Sequence, residues 1–293
     1  MNTVITILEI VAPVILLPLV GFVWIRMGYE YKVQFVSRLA MTIGVPALIF
    51  TALQDTEIAP EKLSVVTLAA LTAYGVISVI AFAFVKLAKI DIRTYLAPLI
   101  FGNTGNLGMP LALFAFGDEG LGYAVVIFAA SIVLSFTVGL WIVAGGGSFW
   151  KILKEPLVAA TFLGVLFLMK GWHTPLFLTN TLDLLGQMAI PLMLITLGVA
   201  VARLSIGRIA LPAVMTLVKF VFCVTIAWGI GRWFNLPPVA FGVLVLQISS
   251  PVAVTSYLLA EKYGADAEAV AGLTIISTLL AVVTLPLTLA FVI

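Results

Sequence analysis

Gly102-Asn103-Thr104-Gly105-Asn106-Leu107-Gly108-Met109-Pro110 lies in the middle of an otherwise apolar stretch running from Thr94 to Phe116. Three glycines, two asparagines and a proline in nine residues make a poor helix, since glycine costs about 1 kcal/mol against alanine and proline about 3 kcal/mol. The stretch predicts an interruption. Its surroundings decide what that means. Of the 293 residues 63% are apolar and 10% charged, where soluble domains carry roughly 45–50% and about 25%. A mean hydropathy of +1.24, spread along the whole chain, predicts a polytopic helical membrane protein, because isolated strands cannot satisfy their backbone in lipid. An unwound segment at membrane depth must then line a protein-enclosed or watery cavity.

Apolar runs of membrane length separated by charge and turn clusters give ten expected spans: Thr3 to Trp24, Val36 to Leu53, Leu63 to Leu87, Thr94 to Phe116, Tyr123 to Val143, Pro156 to Met169, Leu182 to Ala202, Ile209 to Ile230, Pro238 to Ala260 and Ala269 to Ile293. The connections are short and leave no room for a soluble domain. Met1 to Ile10 carries Glu9 and no Lys or Arg, unlike a cleaved leader. With the N-terminus outside, 11 of the 15 Lys and Arg fall on the cytoplasmic side, 3 (Lys62, Lys170, Arg232) opposite, and Lys219 within a span. The bias of Lys and Arg toward cytoplasmic loops then places both termini on the non-cytoplasmic side of the membrane.

The two halves resemble each other. Pro13, Gly21 and Gly28 repeat as Pro156, Gly164 and Gly171 at an offset of 143. Pro46-Ala-Leu-Ile-Phe-Thr51 aligns with Pro191-Leu-Met-Leu-Ile-Thr196 at 145, and Phe116-Gly117 with Tyr263-Gly264 at 147. The expected organisation is therefore a first five-helix repeat over 1–143, a cytoplasmic linker over 144–155 and a second, inverted repeat over 156–293. Five spans per copy is an odd number, so the copies enter the membrane with opposite polarity, the design of secondary transporters.

Few strongly polar side chains fall at membrane depth, and there they mark function. Asn103, Thr104, Asn106 and Pro110 belong to the fourth-span interruption. In the ninth span, Gln247-Ile-Ser249-Ser250-Pro251 occupies the corresponding place, with Ser250 read as an N-cap and Pro251 as the first residue of a second half-helix. Helix N-termini aimed at a cavity favour anions. Lys219, about ten residues into the eighth span, needs a partner: an anionic substrate, the carbonyls of a broken helix, or a backbone carbonyl in a purely structural tie. Ser131, Ser135, Gln187, Thr274, Ser277 and Thr278 are further candidate ion or substrate contacts, although hydroxyl residues in membrane helices commonly serve packing. Gly102, Gly105 and Gly108 have the wrong spacing and no preceding strand for a dinucleotide loop.

One histidine, His173, and one cysteine, Cys223, cannot build a metal cluster or an intrachain disulfide. A net charge of +2 with a pI of 8.7 and no basic stripe excludes nucleic-acid binding. Trp24, Tyr29, Trp150, Trp172 and Trp233 fit interface anchors.

Gly102 to Pro110 followed by Phe116-Gly117 resembles the fourth-span signature of the auxin efflux carrier family, and the likeness covers the whole chain. It implies an all-α polytopic fold of ten helices in two inverted five-helix repeats, a scaffold and a transport domain, and fourth and ninth helices that cross at their breaks. Asn103, Asn106 and Pro110 match the fourth-span crossover; Gln247, Ser249, Ser250 and Pro251 match the ninth. Family members carry small organic anions, auxin in plants and dicarboxylates such as malate or malonate in bacteria. This sequence has neither the long hydrophilic central loop nor the proline-bearing crossover motif of plant carriers, so it resembles the short bacterial type. The related bile-acid symporter group shares the fold and uses sodium.

The resulting expectation is a carrier, not an enzyme, that moves a small organic anion by alternating access. Its partners are that anion, the lipid bilayer and a second copy in a homodimer. No cofactor is expected, and Na+ or H+ coupling, as symporter or uniporter, stays open. The alternatives are a sodium-coupled symporter of the bile-acid type and a cation/proton antiporter of similar build, which would need an intramembrane carboxylate.

Overall fold

The computed structural model describes residues 3–55, 58–144, 156–203 and 210–292. Trp150, Lys151, Lys154 and Glu155 of the central linker, and Arg208, lie outside the described residues. Fourteen α-helices and three π-helical turns make up the regular structure, and no strand occurs among the described residues. In chain order the α-helices are α1 (Thr3–Arg26), α2 (Val33–Leu39), α3 (Val45–Gln54), α4 (Pro60–Leu87), α5 (Ile92–Ile100), α6 (Met109–Leu134) and α7 (Leu140–Ala144). After the linker come α8 (Pro156–Lys170), α9 (Leu176–Gln187), α10 (Ala189–Arg203), α11 (Ala210–Trp233), α12 (Pro238–Ile248), α13 (Val254–Tyr263) and α14 (Ala267–Val292).

Helical segments fall within each of the ten stretches expected from the sequence. Among the described residues, six continuous segments are long and apolar enough to cross a membrane: Val33–Gln54, Pro60–Leu87, Thr104–Ala144, Leu176–Val199, Leu211–Trp233 and Ala267–Val292. Ile15–Arg26, Ala159–Lys170 and Pro238–Ile248 are shorter apolar helices. Thr104–Ala144 is not one straight rod. Gly117 at φ 65°, ψ −155° adopts a conformation essentially reserved for glycine and splits α6 into two helical parts.

Local chemistry explains several ends. Pro60 opens α4, where its missing N–H costs nothing, with Glu61 in the first turn and Lys86 in the last, each complementing the helix dipole. Asp91 caps α5 by accepting the Thr94 N–H at 2.8 Å, a contact worth about 1 kcal/mol. Pro46 and Pro110 each follow a π-helical turn, Ala40–Gly44 and Thr104–Gly108. The widened turn accommodates a ring that would clash with the carbonyl one turn back in a regular helix.

Two layers of contact organise the bundle. Helix α1 packs along α10 and α3 along α8. Gly21 and Gly198 allow the first of these pairs to approach so closely that a Cβ at either would overlap a carbonyl of the partner helix, Ile195 or Pro18. Helices α4, α5, α6, α11 and α12 bury the largest core, including Tyr74, Ile77, Leu99 and Ile127. A second, aliphatic core joins Ile190, Leu194 and Leu197 of α10 to Leu107, Leu111, Leu246, Leu285 and Leu289. On the outside, Val79, Phe162, Leu176 and Phe291 are at least 70% exposed. Such a rim is unfavourable in water and at home among acyl chains.

Candidate functional site

The fourth-span interruption is narrower than its composition suggests. Only Phe101–Asn103 leaves the helix; Gly105 and Gly108 sit in the π-helical turn Thr104–Gly108 that leads into α6. These glycines serve close approach rather than unwinding. A Cβ at Gly108 would overlap Gln247 Oε1 and lie 2.7 Å from its Cδ, and one at Gly105 would lie 2.8 Å from the Phe128 ring.

The ninth-span interruption corrects the expected capping. Helix α12 ends at Ile248 and α13 begins at Val254 with Ala253 as its cap residue and no side-chain cap. Ser250 and Pro251 are thus neither an N-cap nor a first helical residue. They lie in the extended link because Gly102 and Val252 form an antiparallel β-bridge, which requires extended backbone on both sides. Ser250 Oγ turns back and donates to the Gln247 carbonyl at 2.8 Å, closing the C-terminal end of α12 instead of opening α13.

The two interruptions complete one another's hydrogen bonds. In an unbroken helix the Asn103 N–H would bond Leu99 O. Here it donates to Pro251 O at 2.6 Å, and Leu99 O receives the Lys219 ammonium at 3.1 Å. The Val252 N–H donates to Ser277 Oγ at 3.0 Å, and Ser277 Oγ donates to Thr274 O. Asn103 Oδ1 accepts the Asn106 N–H at 3.2 Å, starting the helix that follows. Buried backbone groups are thereby paired across the break, as a water-poor interior demands.

Some polar atoms stay unmatched. Asn103 Nδ2, Gln247 Oε1, Thr216 Oγ1 and Thr278 Oγ1 are buried without a hydrogen-bond partner among the described residues, while Gln247 Nε2 donates to Ala124 O at 3.3 Å. An orphaned carboxamide donor is costly and calls for a ligand or water. Lys219 is 2% exposed and borders a cavity of about 10 Å³ with Thr216, Ser249, Ser250, Pro251 and Ser277, roughly the space one water occupies. No carboxylate lines it. The structure so brings Asn103, Gln247, Ser249, Ser250, Pro251, Ser277 and Lys219 to one region. Thr104 and Pro110 are buried in the same fourth-span turn, with Asn106 partly open. Ser131 and Thr274 are buried within α6 and α14, Thr274 Oγ1 donating to Val270 O. Gln187, by contrast, is the exposed last residue of α9, and Ser135 borders a separate small cavity beside Arg93.

A feature that the sequence reading did not assemble lies at one end of the bundle. A cavity of about 710 Å³ opens between α3, α9 and the Gly117 turn, lined by Asp55, Asp118, Glu119, Asp183, Lys62, Thr51 and Tyr123. These acids sit near span ends, but nothing local signals that three separate segments converge. Away from this cavity the α1–α2 link is tied to α10: the Tyr31 hydroxyl and Thr196 hydroxyl are 2.7 Å apart, and the Arg203 guanidinium donates to Tyr31 O. Burial pushes the Tyr31 hydroxyl above its ordinary pKa, the Thr196 hydrogen bond opposing, so Tyr31 keeps its proton at neutral pH.

Apolar helices of membrane length, with their broken pieces and polar atoms turned inward, define a polytopic helical membrane protein. The chain belongs to the auxin efflux carrier family, whose model, described as membrane transport protein, matches residues 6–149 and again 143–289. It is a transporter rather than an enzyme. The chain is 26% identical to an "Uncharacterized transporter" of Methanothermobacter thermautotrophicus over 95% of this chain and 96% of that one. It is 23% identical to a transporter of Methanocaldococcus jannaschii over 92% and 94%. A Rhizobium meliloti protein named "Putative malonate transporter" is 29% identical over 63% of this chain and 62% of its own.

Proposed function

We propose that this transporter is a secondary carrier of a small organic anion, a carboxylate of the malonate class, working by alternating access. The observation that carries the reading is the unpaired Asn103 Nδ2, buried at the interlocked interruptions in a region that also holds the Lys219 ammonium and lacks a carboxylate in its small cavity. A carboxamide donor with a nearby ammonium suits an anion. A cation/proton antiporter would need an acid there instead. Lys219 also supplies positive charge to the carbonyl end of α5, where other carriers use a coupling cation. The name of the Rhizobium meliloti relative supports the substrate class.

Alternating access draws on two inverted repeats. All six described residues with positive φ fall into pairs, one per half: Gly28 with Gly171, Lys89 with Asn235, and Gly117 with Gly264, at offsets of 143, 146 and 147. Contacts are reciprocal too, since α1 of the first half packs on α10 of the second, and α8 of the second on α3 of the first. The family model's two successive matches support the same division. The aliphatic layer between α10 and the core offers no directional bonds to hold one register, which suits a sliding surface. The wide acidic cavity faces the non-cytoplasmic side in this reading, and the Tyr31–Thr196–Arg203 tie closes the cytoplasmic side.

Uptake of labelled malonate, malate and monocarboxylates into proteoliposomes, under imposed sodium or proton gradients, tests the proposal. Saturable uptake of at least one carboxylate, competed by its unlabelled form, is expected. Failure of every mono- and dicarboxylate, with movement of a monovalent cation instead, would overturn it.

A further inference from the structure

We propose that a phospholipid phosphate docks on Arg232, in a cavity at the adjoining ends of α11, α12 and α14. The cavity measures about 360 Å³ and includes Trp228, Arg232, Asn235, Pro238, Phe241 and Phe291 in its lining. The Arg232 guanidinium lies 5.7 Å from the Trp228 ring centroid and 5.2 Å from that of Phe241, and the two rings meet edge to face at 4.9 Å. Held by two rings, the cation cannot collapse onto the surface, and the N–H edge of its planar guanidinium is left for a bidentate oxyanion acceptor. Among the described residues no carboxylate pairs with it. The acids Asp55, Asp118, Glu119 and Asp183 gather in a different cavity, between α3, α9 and the Gly117 turn.

What surrounds the cation identifies the ligand. Trp233, the last residue of α11, is 73% exposed, and Phe291 is 75% exposed beside the penultimate Val292. Tryptophan at a span end marks the level of lipid headgroups, where phosphate is abundant and water is replaced by acyl chains just beneath. A free inorganic anion would leave the apolar walls of the cavity uncovered. A phospholipid meets the arginine with its phosphate and the Leu236, Phe241 and Phe291 walls with its glycerol backbone and chains. This inference rests on the chain's membrane span alone and is independent of what the carrier transports.

Thermal unfolding of the purified full-length protein in detergent provides the test, with phosphatidylglycerol, diacylglycerol or inorganic phosphate added separately. A ligand that binds only the folded state raises the unfolding temperature. Phosphatidylglycerol is expected to raise it for the unmodified protein, diacylglycerol and inorganic phosphate are not, and Arg232→Gln is expected to lose at least half of the rise. An undiminished rise in Arg232→Gln would overturn the proposal, and so would an equal rise with diacylglycerol or with inorganic phosphate. If Arg232→Gln does not fold, Arg232→Lys keeps the charge but loses the planar fork; it should show half the rise or less, and the full rise would count against the site.

Discussion

Gly102→Ala probes the contact on which both interruptions depend. A methyl group there would fall onto Ser250 Oγ and lie 2.7 Å from the Ser250 carbonyl oxygen. The hydroxyl can rotate away; the carbonyl belongs to backbone fixed by the bridge to Val252 and cannot. Overpacking of this kind costs about 1–3 kcal/mol. Parting the two bridged segments also breaks the 2.6 Å bond from Asn103 N to Pro251 O, leaving buried groups unpaired at about 1–3 kcal/mol. Gly102 is not helical, so alanine regains no propensity to offset this. Together the loss comes to about 2–6 kcal/mol. Equilibrium unfolding in mixed detergent and dodecyl sulfate micelles measures it directly. Gly75→Ala serves as the control, because a Cβ there meets nothing within 4 Å in the middle of α4, and it should gain up to about 1 kcal/mol. Stability of Gly102→Ala within about 0.5 kcal/mol of the parent would refute the claim that the interruptions hold one another.

Asn103→Asp keeps the oxygen that accepts the Asn106 N–H but replaces the unpaired donor with negative charge. At 4% exposure the new charge carries a desolvation cost of at least about 1–3 kcal/mol, read in the same unfolding measurement, and carboxylate binding should be lost in a scintillation proximity assay. Gly117→Ala forces a side chain into a glycine-only conformation and should cost about 1–3 kcal/mol, read by the same unfolding measurement. Tyr31→Phe removes the hydroxyl paired with Thr196. It should shift the carrier toward the state open at that end, seen as slower labelling of a cysteine introduced at Thr51 in the wide cavity.

Much of the architecture could be read in advance because membranes leave a helix few options. The all-helical, apolar build, with six segments of membrane length among the described residues, and the fourth-span interruption follow from backbone pairing in lipid. The ninth interruption was legible as a place but not as a geometry. Ser250-Pro251 has the local grammar of a helix start, and the bridge of the next residue, Val252, to Gly102 in the other half pulls it into extended form instead. Lys219 was legible as a cation needing a partner; that the partner is Leu99 O depended on Asn103 giving its own N–H away. The acidic cavity was hidden because Asp55, Asp118 and Asp183 are unremarkable at span ends and gain meaning only when three segments converge.

The hydrogen bond from Asn103 N to Pro251 O also bears on biogenesis. A ribosome delivers residues 101–104 to the membrane well before residue 251 exists, so the nascent chain holds an open amide in a medium without water until the second half inserts. Synthesis order therefore makes the C-terminal portion the clasp that finishes its predecessor, and a chain halted before it should be recognised by membrane quality control as incomplete.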